Sequence, residues 1–246
     1  MTVIGCGRHT GGVFTVVRRF PHDTSAYTQG LLYAGGTLYE STGLYGHSQV
    51  RRVDLRSGRV LASVSLPANR FGEGLALLGG RLFQLTWKEQ VGYVYDTATL
   101  ARVDSFAYRG QGWGLTTDGT SLIMSDGSAT VRFLDPGSFR VQREITVHDA
   151  GMPLLWVNEL EYVRGDLFAN IYRSDWIVRI DPATGQVREW LDLAGLLPER
   201  ERAPDTDVLN GIAFDQDTGD LLVTGKRWPT LFELHLQRPP GAAAPP

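Results

Sequence analysis

The chain repeats itself, and the period narrows the choice of fold more than any other feature. Five stretches begin with a polar or aromatic residue, continue apolar, turn at glycine and rise into a second apolar run. They are Gln29-Gly-Leu-Leu-Tyr-Ala-Gly-Gly-Thr-Leu-Tyr, Glu73-Gly-Leu-Ala-Leu-Leu-Gly-Gly-Arg-Leu-Phe, Trp113-Gly-Leu-Thr-Thr-Asp-Gly-Thr-Ser-Leu-Ile, Asn158-Glu-Leu-Glu-Tyr-Val-Arg-Gly-Asp-Leu-Phe and Asn210-Gly-Ile-Ala-Phe-Asp-Gln-Asp-Thr-Gly-Asp-Leu-Leu. Their first positions lie 44, 40, 45 and 52 residues apart, and the fifth carries two extra turn residues. In the first four units a third apolar run closes on Asp54, Asp96, Asp135 or Asp181, and a fourth begins near Val60, Val103, Val141 or Val187. Aspartate suits these turns because its carboxylate accepts bonds from backbone amides two residues on. Four strands in about 40–45 residues is the period of a propeller blade.

The fifth unit runs from Asn210 through a third strand, Thr230 to Leu236, and lacks a fourth. Val13 to Phe20 supplies a spare strand at the other end of the repeats. Pairing the two removes two open sheet edges. The expected fold is therefore all-β: a five-bladed β-propeller over residues 13–236, its ring closed by the N-terminal strand completing the last blade. Residues 1–12 are expected to be flexible, and 237–246, rich in Pro and Ala, a disordered tail. Leu191 to Arg202 reads as a short helix before the last blade.

Charge and cysteine content exclude several function classes. With 24 Lys+Arg against 27 Asp+Glu the net charge is -3, so no basic field exists to hold nucleic acid. No apolar run has the length of a membrane span. The single Cys6 excludes an internal disulfide. Val3-Ile4-Gly5-Cys6 has the small-residue-then-Cys form of a lipoprotein cleavage site, but residues 1–12 lack the apolar stretch of a secretory signal, so the compartment stays open. His22, His47, His148 and His235 fall in different units without ligand spacing. His22-Asp23 reads as ordering the loop into the first blade.

The innermost strand of a propeller blade is its first. Its leading residues, Gln29, Glu73, Trp113, Asn158 and Asn210, should therefore ring one mouth of the axial channel. Fourteen residues further, at the end of the second strand, stand Gly43, Trp87, Gly127 and Tyr172, with Lys226 in the longer fifth unit. The repeat predicts a carboxylate, an ammonium and several amides converging on an aromatic wall, the make-up of a ligand pocket. The chain has only two lysines, Lys88 and Lys226, against 22 arginines, which suggests that a compact ammonium matters at position 226.

Seven segments carry a family resemblance. Pro21-His-Asp-Thr-Ser-Ala-Tyr-Thr-Gln-Gly-Leu31, Phe71-Gly-Glu-Gly-Leu75, Leu85-Thr-Trp-Lys88, Gly112-Trp-Gly-Leu-Thr-Thr-Asp-Gly119, Asn158-Glu-Leu-Glu-Tyr162, Asn210-Gly-Ile-Ala213 and Thr224-Gly-Lys-Arg-Trp-Pro229 resemble, in order, signature segments of the glutamine cyclotransferase family, the plant-type glutaminyl cyclases also found in bacteria. The resemblance implies a propeller that converts an N-terminal glutamine of peptides or proteins to pyroglutamate and releases ammonia. It implies no metal for the reaction, although axial carbonyls and amides could hold a structural divalent ion. By position, Glu73 matches the family's acid/base carboxylate. Gln29, Asn158 and Lys226 match its polar substrate contacts, and Phe71, Trp87 and Trp113 its aromatic pocket. Two positions depart: Tyr27 stands where the family usually has Phe, and Tyr172 where the plant enzymes carry Trp.

The chemistry suits these residues. The substrate's α-amine must attack its own side-chain amide, and a carboxylate at Glu73 can take the proton and later return one to ammonia. Lys226 and Asn158 are the expected donors to the oxyanion, Gln29 and Asn210 the expected anchors of the amine or first peptide group. Burial should raise the Glu73 pKa and Lys226 should lower it. Two other classes stay open: a metal-dependent lactonase-like hydrolase using Glu73, Asn158 and Asn210, and a non-catalytic propeller that binds peptides or proteins through its loops. A monomer without a membrane span is expected.

Overall fold

A computed structural model of the chain describes residues 12–237. The expectations about the N-terminal segment with Cys6 and about the Pro/Ala tail fall on residues 1–11 and 238–246, outside the described residues. Gly12, expected within the flexible segment, donates its N–H to Trp190 O at 2.8 Å.

The strands follow the repeat. The chain opens with β1 (Val13–Pro21), then runs through β2 (Thr28–Ala34), β3 (Thr37–Thr42), β4 (Gln49–Val53) and β5 (Val60–Ser65). The second unit gives β6 (Gly72–Leu78), β7 (Arg81–Thr86), β8 (Val91–Asp96) and β9 (Arg102–Ala107). The third gives β10 (Leu115–Thr117), β11 (Leu122–Ser125), β12 (Thr130–Leu134) and β13 (Val141–Thr146). A hairpin of β14 (His148–Asp149) and β15 (Met152–Pro153) precedes β16 (Val157–Val163), β17 (Asp166–Ile171), β18 (Trp176–Ile180) and β19 (Val187–Asp192). The last unit gives β20 (Leu209–Asp215), β21 (Asp220–Gly225) and β22 (Thr230–Gln237).

Among the described residues these strands form five four-stranded antiparallel sheets and the small β14–β15 hairpin. The last sheet has the order β1-β22-β21-β20, with Val13 opposite Gln237 and Pro21 opposite Thr230. The first strands of the sheets touch in the order β2, β6, β10, β16, β20, and β20 touches β2 again. The result is an all-β, propeller-like fold. Its core is divided into five apolar clusters, each shared by two neighbouring sheets. The cluster between the first two, for example, joins Leu32, Tyr39 and Val50 to Leu75, Leu82 and Tyr93.

Side chains near the axis have little room. A β-carbon on Gly74 would lie 2.3 Å from the Leu115 backbone nitrogen, so any larger residue would force adjoining first strands apart. The fourth repeat has Glu159 where the others have this glycine. Its fully buried carboxylate crosses the axis and accepts bonds from Leu31 N–H (3.2 Å) and Ile212 N–H (2.8 Å).

Two local expectations change. Asp181 caps its turn through the amide two residues on, and Asp96 and Asp135 also take that amide, at Ala98 and Gly137, but they and Asp54 bond the amide three residues on as well, at Thr99, Ser138 and Ser57. The expected helix over Leu191 to Arg202 shrinks to a single 3-10 turn, Glu199–Glu201. β19 claims the start of that segment, Gly195 turns with φ of 77°, and Leu193 and Leu197 are buried against the last two sheets.

Candidate active site

Strand irregularities aim the inner-ring residues. Register shifts occur in β2 between Thr28 and Gly30, in β6 between Gly72 and Leu75, in β16 between Val157 and Leu160, and in β20 between Leu209 and Ile212. Each brackets a ring residue: Gln29, Glu73, Asn158 or Asn210. A bulge turns one side chain out of the pleat, which explains why the strand's leading residues can line one mouth. Trp113 lies just before β10 and donates its N–H to Ser125 O at 3.0 Å.

The mouth holds a cavity of about 490 Å³ lined by Tyr27, Gln29, Phe71, Glu73, Trp87, Trp113, Asn158, Tyr172 and Lys226, with Lys88, Gln111, Trp156 and Arg173 completing the wall. Nine of the ten site residues read from the sequence thus meet in one space. Asn210 does not line it. It sits behind the wall, fully buried, and its amide is committed: Oδ1 accepts from Asn158 Nδ2 (2.7 Å), and Nδ2 donates to Thr28 O (2.9 Å) and Gln29 Oε1 (3.4 Å). It braces the ring where a substrate contact was expected. Gln29 extends the chain by donating Nε2–H to Glu73 Oε1 at 3.0 Å.

Glu73 and Lys226 are only 4% and 3% exposed. Burial holds the Glu73 carboxyl well above its ordinary pKa; the Lys226 charge opposes this and loses, while Glu89 adds to it. Burial likewise lowers the Lys226 ammonium pKa against the opposing pull of Glu73 and Asp207. Each group therefore favours its neutral form more than in water. The Lys226 Nζ sits over two ring faces, 4.9 Å from the Tyr27 centroid and 5.1 Å from that of Tyr172. Tyr27 is fixed by donating its hydroxyl to Asp207 Oδ2 at 2.7 Å, and the Asp207 N–H donates to Lys226 O at 3.0 Å.

The aromatic wall is interleaved between repeats. A β-carbon on Gly43 would lie 2.3 Å from Phe71 Cε1, and one on Gly127, whose φ is 81°, 2.7 Å from Trp113 Cη2. The two second-strand positions without side chains are therefore occupied by rings from segments just before a first strand: Phe71 of the next repeat at Gly43, and Trp113 of the same repeat at Gly127. Phe71 packs edge-on against Tyr27 (6.3 Å, 89°) and tilted against Trp87 (5.5 Å, 59°), while Trp113 meets Tyr172 edge-on at 5.4 Å.

Sequence reading missed Gln111 and Trp156. Gln111 Oε1 accepts both wall indoles, Trp87 Nε1 at 2.7 Å and Trp113 Nε1 at 3.0 Å. Both residues were within reach of the repeat: they stand two places before the ring position, like Tyr27 and Phe71. Nor was the buried ion network behind the site foreseen. Glu40 Oε1 meets His22 Nε2 at 3.0 Å and accepts from Thr28 Oγ1 at 2.7 Å, and Arg51 donates to Glu40 Oε2 at 2.6 Å and to Asp23 Oδ2 at 2.8 Å. His22 Nδ1 lies 2.7 Å from Trp228 O, which ties the loop before Tyr27 to the one after Lys226. Among the described residues no group of three or more His, Cys, Asp or Glu side chains is arranged around a common metal position.

Comparison with known proteins is consistent with this site. A family model described as glutamine cyclotransferase matches residues 8–236. A glutaminyl-peptide cyclotransferase of Arabidopsis thaliana is 47% identical over 229 residues, covering 91% of this chain and 71% of the relative. The crystal structure of Myxococcus xanthus glutaminyl cyclase superimposes with a TM-score of 0.85 at 37% identity, covering 92% of this chain and 97% of that one. The WD40 propeller domain of Doa1 shares the fold alone, with a TM-score of 0.50 at 9% identity over 83% of this chain and 62% of that chain. The chain belongs to the glutamine cyclotransferase family.

Proposed function

We propose that this chain is a glutaminyl-peptide cyclotransferase that closes the N-terminal glutamine of peptides or proteins to pyroglutamate, and that its five sheets are the blades of one ring closed through β1. The reading rests on one observation: a carboxyl and an amine, both buried and both shifted toward neutrality, share one small aromatic cavity.

The substrate's α-amine, with an ordinary pKa of roughly 7.7–8, must be neutral to attack. Its nitrogen forms a bond to the side-chain amide carbon while the carbonyl π pair moves to oxygen. Glu73 accepts the proton that the new ring nitrogen sheds. Collapse restores the carbonyl, breaks the bond to the leaving nitrogen, and Glu73 returns the proton so that ammonia departs. A carboxyl with a raised pKa is well matched to both transfers, because its proton affinity approaches that of the amine. Lys226 and the second N–H of the Asn158 amide are assigned to the oxyanion. Gln29 fixes the rotamer of the Glu73 carboxylate, and Asn210 fixes Gln29 and Asn158 in turn. Phe71, Trp87, Trp113, Tyr172 and Tyr27 confine the short aliphatic stem, which favours the folded rotamer needed for five-membered ring closure.

Catalysis by this set needs no metal. A lactonase-like site on Glu73, Asn158 and Asn210 finds little support, since the Asn210 oxygen already accepts from Asn158. The deciding experiment is a coupled ammonia assay on a glutamine-initiated dipeptide, with and without chelator. Ammonia and pyroglutamyl product insensitive to chelator are expected. No product would reject the cyclase reading, and loss of product with chelator would reject its metal independence.

A further inference from the structure

The ring at position 156 has a different setting from its repeat equivalents, Tyr27 and Phe71. Trp156 adopts φ of 70°, the left-handed region that bulky side chains avoid. Its N–H donates to Gly127 O and its carbonyl accepts from Tyr172 N–H, each at 2.9 Å, so neighbouring sheets hold the conformation from both sides. Yet the residue is 53% exposed, so its outward face covers no core. The inner face leans on the cavity wall, 6.3 Å from Trp113 and 6.1 Å from Tyr172. An uncommon backbone conformation that presents an aromatic face to solvent at the edge of a catalytic cavity calls for a functional reason.

The surroundings form a shelf. Leu155, also exposed, precedes Trp156, and Leu154 packs into the core below. The β14–β15 hairpin that delivers these residues is fastened to the fourth sheet: His148 N–H donates to Gly185 O at 2.9 Å, and Trp190 Nε1 to Asp149 Oδ2 at 3.1 Å. Other rings at the mouth are engaged. Lys88 Nζ lies 3.6 Å over Trp87, and Tyr45 donates its hydroxyl to Glu89 at 2.8 Å.

We propose that Trp156, with Leu155, forms the subsite for the residue that follows the N-terminal glutamine, and that this subsite takes an aromatic or large apolar side chain. The proposal rests on the cyclase reading. In that reaction the amine and amide of the first residue reach down to Glu73 and Lys226, so the chain leaves through the mouth, and the next side chain, one residue or about 3.3–3.6 Å further on, emerges at the rim.

The test compares ammonia release from glutaminyl-phenylalanine amide and glutaminyl-glycine amide. The unaltered enzyme should favour the first by about 3- to 10-fold in kcat/KM, the scale of one aromatic pairing, with the difference in KM. Trp156→Gly keeps access to the left-handed backbone and should bring the ratio close to one. Trp156→Asn, which also tolerates that conformation, should do the same, and Trp156→Phe should restore most of the preference. A wild-type ratio at or below one, or a ratio unchanged in the Gly and Asn variants, would overturn the subsite. Wild-type enzyme inactive on both peptides would instead overturn the cyclase reading.

Discussion

Replacing Glu73 by Gln separates the proton-transfer role of this residue from its place in the packing. The two side chains match in shape, and an amide can still accept the bond from Gln29 Nε2 that Glu73 now accepts at 3.0 Å. What disappears is the capacity to take a proton from one nitrogen and give it to another. General acid–base catalysis contributes about 10²–10⁴ in rate, or about 3 to 5 kcal/mol of barrier, so kcat should fall by that factor with KM little changed. Stability should move the other way. A carboxyl whose folded pKa lies above its unfolded value holds its proton more tightly in the folded chain. Wild type therefore loses stability as pH rises from the ordinary carboxylate range through the raised value. Glu73 is such a group, and glutamine has no proton to lose there. The Tm of Glu73→Gln relative to wild type should increase from about pH 5 to about pH 8. Single-turnover ammonia release and thermal melts at both pH values measure the two effects. A folded Glu73→Gln variant that keeps kcat within tenfold of wild type would refute the proton shuttle.

Three further substitutions probe the ring. Lys226→Met should lower kcat by about 10²–10³ through loss of an oxyanion donor. Because the lysine charge pulls the Glu73 pKa down, its removal should also move the acid limb of the kcat–pH profile to higher pH; a limb that stays in place would show that the two groups do not communicate. Gly43→Ala drives a methyl to 2.3 Å from Phe71 Cε1, and overpacking of this kind costs about 1–3 kcal/mol. Urea denaturation should show that loss, and KM should rise as Phe71 is displaced into the cavity. Asn210→Ala leaves the buried Asn158 Nδ2 without its acceptor, a loss of about 1–3 kcal/mol readable by denaturation, together with a drop in kcat/KM although residue 210 does not line the cavity.

The repeat made much of this legible because strand period and turn chemistry are local. Counting from one unit to the next brings Gln29, Glu73, Asn158 and Lys226 to a shared mouth without any knowledge of packing. What stayed hidden depends on contacts between sheets. Nothing at Gly43 announces that Phe71 of the next repeat fills the space, nor at Gly127 that Trp113, fourteen residues earlier in the same repeat, does so. The bulges that aim Glu73 and Asn158 arise where first strands crowd at the axis. Asn210 resembles Asn158 in sequence, yet hydrogen bonds to three partners withdraw it from the cavity. Leu193 and Leu197 have helical spacing, but the cluster beneath them accepts them from irregular backbone as readily as from a helix.

The pairing of β1 with β22 has a consequence for biosynthesis. Val13 and Gln237 are partners across one sheet, so a growing polypeptide carries β1 unpaired until the strand that completes the last sheet has been made. Four sheets can form in the order they are made; the fifth, which brings in Asn210 and Lys226, waits for its last strand. Enzymatic competence should therefore arrive in a single late step after the ribosome has delivered Gln237, and until then β1 offers a ready edge for a chaperone or for a neighbouring nascent chain.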